Sequence, residues 1–201
     1  MKKLLVFVFV LSSLGASYAQ VQVALGIKAG PNFANIDTKS SVGENYNNRT
    51  GFHAGAFALF KLTKIGIQPE LLFSQQGSTI EIDGKDFDSN FSYVNIPVML
   101  KFYLIGGLNL QAGPQFGFLT KAEGVGFDGQ GNPIKGVDIK EDLKNSDISV
   151  GLGAGWDAPF GLTVDARYNL GVSDVNDNGG SEAKNQVFQV SLGFKLLKFG
   201  K

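Results

Sequence analysis

The stretch Leu162-Thr163-Val164-Asp165-Ala166-Arg167-Tyr168-Asn169-Leu170-Gly171 alternates without a break. Leu162, Val164, Ala166, Tyr168 and Leu170 fall on one face of an extended chain, and Thr163, Asp165, Arg167 and Asn169 on the other. That period of two is what a β-strand imposes on its side chains. Further runs read the same way. In residues 187–196, Phe188, Val190, Leu192, Phe194 and Leu196 oppose Gln189, Ser191, Gly193 and Lys195. In 93–103, Val94, Ile96, Val98, Leu100 and Phe102 oppose Asn95, Met99 and Lys101. In 65–76, Ile67, Leu71 and Phe73 oppose Gln68, Glu70, Ser74 and Gln76. Residues 108–119 and 148–157 repeat the pattern, with Asn109, Gln111 and Gln115 on one polar face and Ser149 with three glycines on the other. Residues 23–33 and 52–62 alternate less strictly, with Lys28 on the polar face of the first and His53 and Lys61 on that of the second. Each run is about ten residues, the length of a tilted strand crossing a bilayer and longer than an ordinary globular strand.

Short and long connections alternate between the runs. Short ones fall at Thr63-Lys64, Ile105-Gly106-Gly107 and Ala158-Pro159-Phe160-Gly161; long polar ones span 35–50, 77–90, 121–146 and 172–185. This rhythm predicts an all-β, eight-stranded antiparallel up-and-down transmembrane barrel, with tight turns on one rim and long loops on the other. Loops of this length count against a compact soluble domain. No linker interrupts the chain, so residues 20–201 are expected to form one domain. Ahead of it, Lys2-Lys3, an apolar run over 4–11 and Ser17-Tyr18-Ala19 have the pattern of a cleaved secretory signal peptide, residues 1–19. The apolar run is far short of the roughly 20 residues a spanning helix needs.

Composition narrows the function. There are 18 Lys and Arg against 18 Asp and Glu, and loss of Lys2 and Lys3 leaves a slight acidic excess. Such a balance offers no basic field for nucleic acid. The chain has no cysteine, so disulfides and thiolate metal sites are unavailable. Glycine is abundant at 27 residues, as is phenylalanine at 17, and the pair suits strands crossing a crowded space.

Two barrels fit the alternation. A soluble lipocalin-like barrel would turn the apolar face inward around a greasy ligand, whereas a membrane barrel turns it to lipid. The polar face decides between them. It is made of Gly, Asn, Gln and Ser with scattered charges, whereas a water-facing exterior carries many more Lys and Glu. Small side chains are also what a narrow barrel has room for inside. The expected interior charge network is Lys28, Lys61, Glu70, Lys101, Asp157, Asp165, Arg167 and Lys195. Both signs are present, and buried charges are tolerable only when paired. Pro69, Pro97 and Pro114 would each remove a ladder hydrogen bond, so they are expected at bulges or towards the rims.

Several segments carry a family resemblance. Gly26-Ile27-Lys28-Ala29-Gly30-Pro31-Asn32-Phe33, Gln68-Pro69-Glu70-Leu71-Leu72-Phe73-Ser74-Gln75-Gln76-Gly77 and Tyr93-Val94-Asn95-Ile96-Pro97-Val98-Met99-Leu100-Lys101 resemble strands of an outer-membrane β-barrel family of the Bacteroidota. Ala112-Gly113-Pro114-Gln115-Phe116-Gly117 and Asp165-Ala166-Arg167-Tyr168-Asn169 complete the likeness, which covers nearly all of the mature chain. It is the porin-like group that also contains the secretion factor PorT. The resemblance implies an eight-stranded barrel in the outer membrane and no particular activity. One departure is the end of the chain, Phe199-Gly200-Lys201, where such barrels often finish on an aromatic residue; either recognition of the last strand is looser here, or Phe194 or Phe199 serves instead.

Motifs for chemistry are sparse. His53 is the only histidine, and a nucleophile relay needs a hydroxyl and an orienting group in contact with it. Nothing in the sequence pairs it with a particular serine, so an interior hydrogen-bonded or loop-packed histidine is expected. Asp174-Val175-Asn176-Asp177-Asn178-Gly179 partly matches a calcium loop, but the twelfth place is Asn185 rather than Glu, and a polar loop is expected. Residues 128–133 read as a hairpin tip inside the longest loop. The reading is therefore a monomeric, cofactor-free, non-enzymatic envelope protein or loop-presenting scaffold, in contact with outer-membrane lipid and with an envelope or secretion partner at its loops. The alternatives are a narrow small-solute pore, a soluble carrier of apolar ligands and a lipid-modifying enzyme.

Overall fold

The computed structural model describes residues 21–38, 46–82, 85–127, 129–130, 133–142, 144–172 and 183–200. The expected signal peptide and the partial calcium loop at 174–179 lie outside them. The strands are β1 (Val21–Thr38), β2 (Tyr46–Leu62), β3 (Ile65–Ile82), β4 (Lys85–Tyr103), β5 (Leu108–Phe127), β6 (Pro133–Asp138), β7 (Ser146–Asp157), β8 (Leu162–Gly171) and β9 (Ala183–Phe199). Every pairing is antiparallel, and β9 returns to β1 through Lys28↔Gly193 and Ala29↔Leu192. The ring β1-β2-β3-β4-β5-β7-β8-β9 is thus a closed eight-stranded barrel without an edge, and β6 hangs on the outer end of β5. Closure satisfies the ladders where no water can, which is what lets strands cross a bilayer.

Burial is inverted relative to a soluble protein. On β3, Glu70 is 4% exposed and the next residue, Leu71, 56%; on β9, Ser191 is 4% exposed and Leu192 60%. The apolar face looks outward and the polar face fills the lumen. The physical reason is depth-dependent: a Lys or Arg on the lipid face near the midplane costs about 2–4 kcal/mol. The inversion excludes a lipocalin-like carrier. Aromatic rings collect towards both ends of the outer face. Phe33 meets Phe188 at 6.2 Å and Phe52 meets Phe73 at 6.1 Å towards the long-loop end. At the other rim Trp156 packs edge-on to Phe160 and donates Nε1–H to the Gly106 carbonyl at 2.9 Å. These rings have the placement of interfacial girdles.

The short-turn rim is as expected, with connections at Thr63-Lys64, 104–107 and 158–161. The other rim differs from expectation. Described parts of the expected long loops are strand: in 77–90, β3 and β4 stay paired out to Ile82↔Lys85, and in 35–50, β1 runs to Thr38. Polar residues above the bilayer continue the ladder because the strands below already hold them in register. The longest connection also folds, since Phe127 pairs with Pro133 across the expected hairpin tip. Its return segment packs Ile139 with Phe91 against Tyr93, Leu119 and Ala122.

The prolines also depart from expectation. Pro69 pairs with Val98, Pro97 with Gln115 and Pro114 with Val150, all within unshifted registers away from the rims. Each breaks only the ladder to the preceding strand: Pro69 lies in the gap between Glu70 and Ile67 in the β2–β3 pairing. One missing N–H per strand interrupts one seam and leaves the next intact, so no bulge is required.

Candidate functional site in the barrel lumen

Inward-facing positions on consecutive strands meet in layers, because a small barrel has little free space inside. The central layer is charged. Arg167 on β8 makes a bidentate contact with Glu70 on β3, Nη1 to Oε2 at 3.1 Å and Nη2 to Oε1 at 2.9 Å, and Nη2 also donates to Gln111 Oε1 at 2.9 Å. Lys28 on β1 bridges Glu70 at 3.4 Å and Asp165 at 2.9 Å. Gln68 Nε2 donates to Glu70 at 2.8 Å, and Gln111 Nε2 donates to Asp165. The chain of charges continues towards the short-turn rim. Lys101 on β4 reaches Asp165 at 3.5 Å and Asp157 at 3.2 Å, and Lys195 on β9 reaches Asp157 at 2.9 Å. Glu70, Lys28, Asp165, Lys101, Asp157 and Lys195 therefore alternate in sign along one continuous path. Room for it depends on glycine: a Cβ at Gly155 would lie 2.3 Å from Asp165 Oδ1 and 2.5 Å from Gln111 Nε2.

Of the eight residues expected in the network, seven join it. Lys61 does not. It is half-buried at the short-turn rim with its ammonium 3.9 Å above the Tyr103 ring. Tyr103 was the residue sequence reasoning missed: its hydroxyl donates to Asp157 Oδ2 at 2.8 Å. The signal was present, since Tyr103 follows Asn95 and Lys101 on the inward parity of its strand. The lumen is also less uniformly polar than its sequence pattern, because Phe57 and Leu59 on β2 pack inside with Ala24. Gly26 makes this possible, since a Cβ there would lie 2.4 Å from Phe57 Cζ.

Above the charged layer lies a neutral one. His53 Nδ1 is 2.7 Å from Asn32 Oδ1, and Nε2 is 2.8 Å from Ser191 Oγ. Asn32 also bonds Ser74 at 2.8 Å and accepts from Gln189 at 3.0 Å. A serine, a histidine and an orienting amide in contact have the form of a nucleophile relay. Here all three are sealed in the lumen, with Ser191 only a few per cent exposed, so no acyl substrate reaches Oγ. Farther out, Asn95, Gln115, Asp147, Ser149 and Asn169 surround a void of about 10 Å³, the size of one water. The opposite end is open: a vestibule of about 510 Å³ runs in from the short-turn rim to Asp157 and Lys195. Among the described residues no cluster of His, Cys, Asp and Glu is grouped to hold a metal ion.

A closed barrel with a lipid-facing apolar girdle and a lumen filled by its own side chains defines an integral membrane β-barrel of the small, plugged class. A family model described as outer membrane protein beta-barrel domain matches residues 18–177, and the chain belongs to that family; it is an outer-membrane protein. No curated protein matches the chain. Among solved structures it is similar to Ail, the attachment invasion locus protein of Yersinia pestis, solved with the heparin analogue sucrose octasulfate. Identity is 17%, covering 90% of this chain and 99% of that one, with a TM-score of 0.50. It is also similar to Neisserial surface protein A, at 11% identity, 87% and 99% coverage and a TM-score of 0.56. At such identities the likeness is one of fold.

Proposed function

We propose that this protein is a structural envelope barrel that presents its outer strand wall and loops as a binding scaffold, its lumen closed to solutes. The observation that carries this reading is the unbroken path of ion pairs from Glu70 to Lys195, braced by Arg167. Passage of a solute would separate at least one pair, and an uncompensated buried charge costs several kcal/mol. The outer wall supports the scaffold role. The β3–β4 hairpin extends as paired strand, and the β5–β6 segment is packed down through Ile139 rather than trailing free. An envelope or secretion partner would meet this wall. The sealing of Ser191 supports a role without catalysis. Export through residues 1–19, a monomeric state and kinship with the PorT-containing group of the Bacteroidota complete the proposal. Planar-bilayer recording of the refolded barrel tests it: wild type should produce no conductance steps. A steady conductance from wild type would replace the scaffold reading with the narrow pore.

A further inference from the structure

We propose that the vestibule at the short-turn rim is an anion site for a phosphate group presented from the periplasm. Short turns of outer-membrane barrels face the periplasm, so the cavity opens on that side. Its volume of about 510 Å³ lies within the range of small-molecule pockets.

The charge around it is unbalanced. Among the described residues, three ammonium groups, Lys61, Lys195 and Lys198, line the cavity with a single carboxylate, Asp157. That carboxylate is already saturated: Oδ1 takes Lys101 at 3.2 Å, and Oδ2 takes Lys195 at 2.9 Å and the Tyr103 hydroxyl at 2.8 Å. Lys61 rests on the Tyr103 ring, and among the described residues neither it nor Lys198 has a carboxylate within 4.0 Å. The deeper path does not offset them. Beyond Lys195 and Asp157, Lys28, Lys101 and Arg167 face Glu70 and Asp165, three buried cations against two buried anions among the described residues. Asp147, the other buried acid, pairs in register with Gly117 at the far end, beyond the neutral layer of Asn32, His53 and Ser191. The surplus positive charge thus falls where the cavity is.

Lysine suits phosphate as a set of point charges rather than a bidentate fork. Three amines around one cavity can each address a different oxygen of a tetrahedral anion, and Gln22 and Thr63 on the wall add hydrogen-bond donors. The phosphate could belong to a soluble ester or to a lipid headgroup of the inner leaflet. The inference stands independently of the scaffold reading, since it needs the rim and not the seal.

The test uses the full barrel in phosphatidylcholine nanodiscs, titrated calorimetrically with pyrophosphate at low salt. Every variant is first checked for the gel shift between unboiled and boiled samples. Wild type should bind saturably, Lys61→Gln about tenfold more weakly, and Lys61→Arg close to wild type. Lys121→Gln, on the outer stretch of β5, should bind as wild type does. If Lys61→Gln fails to fold, Lys198→Gln takes its place with the same expectation. Repeating the titration in phosphatidylglycerol nanodiscs separates the sources: weakened pyrophosphate binding there assigns the site to lipid headgroups, unchanged binding to soluble esters. Absence of saturable binding in phosphatidylcholine, or equal affinity in wild type and the vestibule variants, would overturn the proposal.

Discussion

Around Lys28, Glu70, Asp165 and Arg167 the lumen is charged; one layer farther out, around Asn32, His53 and Ser191, it is neutral. Both layers lie inside the same barrel, and both are cross-linked between strands, although Arg167 Nε and Gln68 Oε1 of the charged layer have no hydrogen-bond partner. Their energetics differ. Each charge in the first layer carries a desolvation cost that only its partners offset, so the layer is worth little as a whole but a great deal to keep whole. The second layer exchanges hydrogen bonds with water for hydrogen bonds within the protein, each worth a modest net amount. The charged layer is therefore brittle and the neutral layer graded.

The largest expected effect comes from breaking the charged layer on one side. Arg167→Ala strips Glu70 of its bidentate partner and should lower stability by about 3–5 kcal/mol, read from urea unfolding in lipid vesicles. Unchanged stability would abolish the contrast between the layers. Replacing both partners sharpens it: Glu70→Leu with Arg167→Leu should recover most of that loss, because no orphaned charge remains. A double variant as weak as the single one would mean that packing, not charge, supports the centre.

A smaller effect is expected in the neutral layer. Ser191→Ala removes the partner of His53 Nε2 and should cost about 1–3 kcal/mol in the same assay. A loss matching that of Arg167→Ala would show the two layers to be equally brittle. The smallest effect belongs to an ion pair in water. Lys121 and Glu123 sit 2.6 Å apart on the outer stretch of β5, closer than the lumen ion pairs of Lys28, Arg167 and Lys195 at 2.9 Å, yet Lys121 is largely exposed. Lys121→Ala should leave the urea midpoint where it is, since side-chain entropy and solvent screening cancel an exposed pair. A clear shift there would mean that distance rather than burial sets the worth of these pairs.

Much of the lumen was legible from parity alone. Lys28, Glu70, Lys101, Asp157, Asp165, Arg167 and Lys195 all sit on the polar phase of alternating runs, and all face inward. Parity could not say who meets whom. Arg167 lies two residues from Asp165 on the same strand, yet it clasps Glu70, because Lys28 and Lys101 already hold Asp165. It could not exclude Lys61, whose phase is inward but whose height is at the rim, and although it turns Tyr103 inward it could not show that the phenol reaches Asp157. The prolines were misplaced for a similar reason: a missing N–H breaks one seam, and only pairing on both sides reveals that the other seam continues.

Alternation, glycine content and the lack of charge on one face determined by themselves that this chain crosses a membrane as a barrel and which side chains turn inward. That follows because strand period is a local property and lipid penalises charge residue by residue. Closure of β9 on β1 decided the rest, by fixing the stagger between strands and hence the height of every inward side chain. The sealed His53–Ser191 contact, the alternating path from Glu70 to Lys195 and the surplus of ammonium groups at the vestibule all depend on that height, which no single strand encodes.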